Sequence, residues 1–90
     1  IACPQRYAKI AELMGVNISG LTVTDAAFAA ITAIRELSQS IGIPSGLKAL
    51  GVKEADHGVM AKNAQNDACM LTNPRKANEA QVIEIFKAAM

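Results

Sequence analysis

Aromatic side chains are nearly missing from this sequence, which has no tryptophan and only 3% aromatic residues in 90. Apolar content is nevertheless 51%, so alanine makes up much of it. Alanine favours helix but buries little apolar surface per residue. Helices of this composition must either pack closely or share a core with something else.

An excess of charge of one sign is also missing, because nine basic residues are balanced by eight acidic residues and the net charge is +1. No basic run or stripe appears, which argues against nucleic acid and anionic membranes as partners and against a helix-turn-helix DNA binder. The longest apolar windows are broken by Arg35, Glu36 or Lys87, well short of a membrane span. No secretory signal pattern is present.

Cysteine is scarce, since Cys3 and Cys69 are the only two. Two cysteines are too few for a disulfide framework, so a reducing, cytoplasmic setting is expected. The sequence opens at Ile1 instead of an initiator methionine. We therefore expect an upstream part of the polypeptide.

The main positive feature of the sequence is the spacing of its apolar residues, which recur at helical intervals. It predicts four helices and one short helical turn: Pro4–Met14, Asp25–Ile41, Gly46–Leu50 (the turn), Glu54–Ala68 and Glu79–Ala89. The second helix is predicted to bury one stripe: Ala27, Ala30, Ile31, Ile34, Leu37 and Ile41. The fold class is all-α, with packed helices joined by short loops.

Local signals predict where these helices begin and end. Thr24 is the predicted N-cap of the second helix, and Gly42 its stop. Asn78 and Gln81 predict a capping box at the start of the last helix. Only residues 20–24, "GLTVT", look like a strand, and they are too few to build a sheet.

His57 is the only histidine and the first candidate metal ligand. A metal site needs further ligands, and the sequence nearby offers only Glu54 and Asp56. Asp56 is adjacent to the histidine and would point to a different helical face. We predict a surface or half-buried histidine without a metal role.

The segment "DACMLTNPRKAN", residues 67–78, is the second candidate site. Cys69 has no local base to lower its pKa, so it is predicted to be an apolar filler or a pocket-wall residue and not a nucleophile. Pro74 favours an extended Asn73, whose side chain can bond the backbone of the turn. Arg75 and Lys76 could bind a phosphate or a neighbouring carboxylate, but on an exposed loop both are expected to face solvent. No glycine-rich phosphate loop, serine triad or paired-carboxylate site is present.

Three segments together carry a family resemblance: "ACPQRYAKIAELMG", "DAAFAAITAIRELSQSIGIPSGLKALGVKEAD" and "NPRKANEAQVIEIFKAAM". They resemble the C-terminal portion of iron-containing (group III) alcohol dehydrogenases, in the same order and over nearly the whole chain. The most specific pieces are "GIPSGLKALGV" and "TNPRKA".

The resemblance implies a two-domain enzyme in which residues 1–90 are the C-terminal part of the helical metal-binding domain. It implies that iron, or zinc, is held by one aspartate and three histidines upstream of this region, and that NAD or NADP is bound by an upstream α/β domain. In such enzymes the metal makes the alcohol more acidic and hydride passes to the nicotinamide. The substrate is a small primary alcohol or diol, or its aldehyde, and a homo-oligomer is expected.

For this chain the resemblance implies a supporting role. The loop corresponding to residues 67–78 approaches the cleft between domains, so Cys69 and Met70 are expected to line the substrate pocket. No catalytic residue, metal ligand or cofactor-binding residue is expected within the chain, which should be inactive alone. The alternative function is an autonomous helical protein-interaction module.

Overall fold

The computed structural model describes all residues 1–90 and is entirely helical, which confirms the predicted fold class. Five α-helices are present: α1 (Pro4–Leu13), α2 (Val23–Ser40), α3 (His57–Gln65), α4 (Cys69–Thr72) and α5 (Glu79–Ala88). Two 3-10 turns, Leu47–Leu50 and Glu54–Asp56, lie between α2 and α3. The chain divides into two compact units, residues 1–43 and 44–90. None of the helices has both the length and the hydropathy that crossing a bilayer requires.

The first unit is a pair of helices, α1 and α2, packed through alanine. Ala8 and Ala11 of α1 are buried, as are Ala26, Ala27 and Ala30 of α2. α1 begins at a proline, which suits the first turn because it has no N–H to leave unsatisfied. The small side chains explain how two helices pack closely without aromatic residues.

The start of α2 corrects two predictions. Its N-cap is Thr22 and not Thr24: the Thr22 hydroxyl oxygen accepts from the Asp25 N–H at 3.1 Å and donates to the Asp25 carboxylate at 2.7 Å. This reciprocal pairing satisfies a free N–H of the first turn. Residues 20–24 therefore form no strand, because Val23 and Thr24 already belong to α2.

The predicted stripe of α2 is only partly buried. Ala27 and Ala30 are buried as expected, but the four large residues of the stripe are exposed: Ile31, Ile34, Leu37 and Ile41. The helical spacing was correct, but only the alanines of the stripe are covered, and the large side chains further along the helix are exposed.

The second unit centres on α3 and α5, with Ala61 and Val82 buried. α3 ends at Gln65, earlier than the predicted Ala68, and it is preceded by a separate 3-10 turn. At the start of α5 the predicted capping box is confirmed, since the Asn78 side chain accepts from the Gln81 N–H at 2.9 Å and Gln81 accepts in return at 3.0 Å.

The predicted turn at residues 46–50 is also confirmed, and it closes the C-terminal end of α5. The Leu47 N–H donates to the carbonyl oxygen of Ala89 at 2.8 Å. Gly46, in the left-handed region at φ +88°, allows this approach, since a Cβ atom there would lie 2.5 Å from the Met90 carbonyl oxygen. One of the free carbonyls at the end of α5, that of Ala89, thereby gains a partner.

Candidate functional site

The connection between α3 and α5 carries the polar residues and the thiol of the candidate site. It contains one helical turn, α4, that the sequence analysis did not predict. The Met70 N–H donates to the Asp67 carbonyl at 3.0 Å, and the Thr72 hydroxyl donates to the Cys69 carbonyl at 3.3 Å. Local hydrogen bonds therefore give the connection a defined backbone.

Cys69 lies at the start of α4 and is exposed. Its N–H donates to the Asp67 carboxylate at 2.7 Å. This backbone hydrogen bond, together with one from the Cys69 side chain, lowers the pKa of Asp67. In turn the hydrogen bond to Asp67 and the negative charge of Asp67 raise the pKa of the Cys69 thiol. The neighbourhood of Cys69 therefore favours the thiol over the nucleophilic thiolate.

The second half of the connection behaves as predicted. Asn73, before the proline, is extended at φ −63° and ψ 129°, and its side-chain amide donates to the Arg75 carbonyl. Arg75 and Lys76 are exposed and form no ion pair. These observations confirm the prediction that the segment is a structured turn with cations facing solvent.

Two shallow grooves border this connection. One, of about 290 Å³, is lined by Asn73, Arg75, Ala77, Gln81, Glu84 and Ile85. The other, of about 310 Å³, is lined by Gln65, Met70, Leu71, Lys76 and Ala77. Of the two residues expected in the pocket wall, the half-buried Met70 lines the second groove, and Cys69 lines neither.

His57 contradicts the prediction of a surface or half-buried position. Its side chain is buried, with only 3% of the residue exposed, because its ring stacks on Phe86 of α5. Its Nε2 atom is buried without a hydrogen-bond partner.

The donor set of this chain does not fit a divalent metal. No three His, Cys, Asp or Glu side chains come together as a group able to hold an ion. Protein sites for iron or zinc use at least three such ligands. No step of a metal-dependent reaction can therefore be assigned to residues 1–90.

Two residues that shape the connection were not singled out from the sequence. Asp67 accepts from an N–H two residues on, the pattern of an Asx turn, which was readable in the sequence. Gln65 donates from its side chain to the Ala77 carbonyl at 2.9 Å, a contact that no local pattern signals. It links the end of α3 to the segment just before α5.

Comparison with known proteins connects this geometry to a family. The family model described as "Fe-containing alcohol dehydrogenase family, C-terminal" matches residues 1–90. The chain belongs to the iron-containing alcohol dehydrogenase family. This confirms the resemblance carried by the three quoted segments.

Individual iron-containing alcohol dehydrogenases match over nearly the whole chain. A 1,3-propanediol dehydrogenase of Klebsiella pneumoniae is 54% identical over 89 residues, which are 99% of this chain and 23% of that protein. An NAD-dependent methanol dehydrogenase of Bacillus methanolicus is 46% identical over 90 residues, 100% of this chain and 24% of that protein. The chain thus spans about a quarter of the length of these curated relatives.

A solved member of the family has the same backbone. The crystal structure of a 1,3-propanediol oxidoreductase superposes with a TM-score of 0.96 at 52% sequence identity. The superposition covers 99% of this chain and 23% of the other.

Proposed function

We propose that residues 1–90 are the C-terminal part of the helical domain of an iron-containing, NAD(P)-linked alcohol dehydrogenase. The complete enzyme interconverts a small primary alcohol or diol with its aldehyde. The observation that carries the proposal is the family match over the whole chain, with relatives named for propanediol and methanol. The alternative function is an autonomous interaction module. It is less favoured because the whole chain matches only about a quarter of each relative, which is the relation of a part to a larger enzyme.

The metal and the dinucleotide are held by the part of the enzyme that precedes residue 1 in this numbering. Support comes from the chain itself, whose acidic residues, cysteines and histidine do not cluster. The metal is iron, or zinc in its place, and the dinucleotide is NAD or NADP. Residues 1–90 then hold no reacting group, and the isolated segment has no dehydrogenase activity.

The role of this chain in catalysis is to form part of the substrate-pocket wall at Cys69 and Met70. Two features support this role: Cys69 is exposed on a turn that local hydrogen bonds hold in place, and Met70 lines a groove. A thiol kept neutral beside Asp67 presents a small, weakly polar surface to an alcohol. The thiol neither transfers a proton nor binds the metal.

The setting of the enzyme follows from the same proposal. We place it in the cytoplasm, where the free thiols of Cys3 and Cys69 remain reduced. Its other partners are the alcohol or aldehyde substrate and further copies of itself in a homo-oligomer.

The test uses the full-length polypeptide that carries this segment. It is assayed for oxidation of small primary alcohols and diols with NAD⁺ and with NADP⁺, and its bound metal is measured before and after chelation. We expect turnover that disappears with the metal and returns when iron is restored. Residues 1–90 expressed alone are the control and should show none. Absence of alcohol turnover in the metal-loaded full-length protein, or metal-dependent turnover by the segment alone, would contradict the proposal.

A further inference from the structure

Local hydrogen bonds give the connection between α3 and α5 its turns. The Met70 and Leu71 N–H groups donate to carbonyls three residues back, at 3.0 and 3.1 Å, and the Asn73 side chain donates to the Arg75 carbonyl two residues on. Bonds of this range fold single turns. They do not fix where those turns lie relative to the two helices.

One side chain spans the whole connection. The Gln65 amide, at the last residue of α3, donates to the Ala77 carbonyl at 2.9 Å, across twelve positions of the sequence. Every other side-chain hydrogen bond in residues 1–90 joins residues at most four positions apart. Gln65 and Ala77 are both half-buried, so this bond is partly shielded from water, which strengthens it.

The same two residues line the groove that contains Met70, together with Leu71 and Lys76. Gln65 enters the groove from the end of α3, and Ala77 enters it from the segment just before α5. The half-buried Met70 lies between them in sequence. A change in the distance between Gln65 and Ala77 therefore changes the shape of the groove around Met70.

The packing of α3 against α5 does not replace this bond. The buried residues that the two helices contribute nearest to the connection are Ala61 and Val82. Ala61 lies four residues before Gln65, and Val82 lies five residues after Ala77. The two ends of the connection therefore lie beyond the buried part of the helix pair, where the Gln65 amide joins them.

We infer that Gln65 is a positioning residue for the substrate-pocket wall, an inference that rests on the proposed function. The Gln65 amide holds Ala77 beside the end of α3 and thereby keeps Cys69 and Met70 in one place. A glutamine suits this role because its amide offers two N–H donors on a side chain long enough to reach past the end of its own helix. Gln65 acts through the two wall residues and takes no part in the reaction itself.

The experiment uses the full-length polypeptide. Gln65→Ala removes the amide, and Gln65→Asn keeps an amide that is one methylene shorter and falls short of the Ala77 carbonyl. Asn63→Ala is the matched control, because it removes an exposed amide from the same last turn of α3.

Two quantities are measured for each variant. The first is hydrogen exchange of the peptides that cover residues 66–77. The second is a selectivity ratio, kcat/KM for a small primary alcohol divided by kcat/KM for a larger one. A loss of folded enzyme lowers both kcat/KM values equally and cancels in the ratio, so the ratio reports on the pocket and not on stability.

We expect both Gln65 variants to exchange the Met70 and Leu71 amides roughly fivefold faster than the unsubstituted protein, the factor set by the net strength of one hydrogen bond. We expect the selectivity ratio to change by roughly threefold or more while the bound metal is retained. Asn63→Ala should change neither quantity.

Unchanged exchange in both Gln65 variants would overturn the inference, because the connection would be held without the amide. Faster exchange with an unchanged selectivity ratio would also overturn it, because the connection would then not position the pocket wall. Equal changes in Asn63→Ala would assign the effect to the end of α3 and not to the bond with Ala77.

The two proposals can fail separately. An unsubstituted, metal-loaded protein that oxidises no alcohol would remove the proposed function, and the exchange rates would still show whether Gln65 holds the connection. An active, metal-containing enzyme whose Gln65 variants keep the original exchange and selectivity would remove the inference and leave the function.

Discussion

The imidazole ring of His57 stacks on the phenyl ring of Phe86, with 6.0 Å between the ring centroids and 30° between the ring planes. The pair joins the first residue of α3 to the C-terminal half of α5. A stacked aromatic pair contributes about 0.5–1.5 kcal/mol beyond its burial. A buried polar atom without a partner, such as Nε2 of this histidine, costs about 1–3 kcal/mol. The two contributions oppose each other at one side chain.

His57→Phe and His57→Ala separate these contributions in the full-length protein. Phenylalanine keeps the stacked pair and removes the unpartnered nitrogen, so we expect a gain of about 1 kcal/mol. Alanine loses the pair and leaves a cavity, so we expect a loss of about 1–3 kcal/mol. The stability change of each variant is measured from the apparent thermal midpoint and from hydrogen exchange of the α3 and α5 amides. A phenylalanine variant as unstable as the alanine variant would show that the imidazole makes a contact that the ring pair does not explain.

Gly46→Ala should destabilise the second unit more than Gly42→Ala destabilises the first. Both glycines have φ in the left-handed region, +88° and +77°, where alanine costs about 1 kcal/mol. Only at Gly46 would the new methyl group also meet a carbonyl oxygen, that of Met90, at 2.5 Å, whereas Gly42 faces open space. We expect the free energy of unfolding of the Gly46 variant to be lower than that of the Gly42 variant by at least about 1 kcal/mol. The difference is read from the thermal midpoints of the two variants. Equal losses would mean that the chain end moves aside freely.

The helices themselves were predictable because their signals are local. Pro4 begins α1 and the Asn78–Gln81 capping box begins α5, and each acts within one turn of its own position. The choice of buried residues on α2 was not predictable, because periodicity identifies an apolar face but not its partner. Ala27 and Ile31 both belonged to the predicted stripe, and only the contact with α1 shows that the first is buried and the second is exposed.

The candidate site was predictable to the same extent. The turn at Asn73 depends on the next two residues and was predicted from them. The burial of His57 depends on Phe86, far along the chain, and no local pattern indicates it. The membership of Cys69 and Met70 in a substrate pocket stays a prediction, because Cys69 lines neither of the two grooves that border the connection.

The N-cap of α2 can be tested directly, because two threonines, Thr22 and Thr24, lie two residues apart and either could cap the helix. Thr22→Ala should destabilise the folded protein by about 1 kcal/mol, because the Asp25 N–H loses its side-chain acceptor. Thr24→Ala, two residues later and inside the first turn, should change stability by less than about 0.5 kcal/mol. The thermal midpoints of the two variants give the comparison. A larger loss of stability in Thr24→Ala than in Thr22→Ala would show that Thr24, the residue predicted from the sequence, is the N-cap.

Asp67→Asn should make Cys69 more reactive at a given pH. The hydrogen bond to Asp67 and the charge of Asp67 both raise the pKa of the thiol, so removing the charge lowers that pKa and increases the thiolate fraction. Asparagine retains an oxygen that can accept from the Cys69 N–H, which preserves the turn. The pH profile of Cys69 alkylation, read by peptide mass spectrometry, should move to lower pH. Cys3 is the internal control and its profile should not move. A Cys69 profile that stays in place would show that Asp67 does not control this thiol.

The pocket-wall assignment predicts that the volume of Cys69 matters more than its chemistry. In the full-length enzyme, Cys69→Ala should keep kcat within a few-fold and keep the bound metal, because a thiol that only forms pocket wall would take no proton and bind no ion. Cys69→Phe should lower kcat/KM for larger primary alcohols by roughly tenfold or more relative to the smallest ones, because the ring narrows the pocket. Val59→Phe places the same phenyl ring at an exposed position of α3 and is the matched control. If Cys69→Ala abolished turnover while the metal stayed bound, the thiol would have to take part in the reaction. If Cys69→Phe affected all alcohols equally, the wall would have to lie elsewhere.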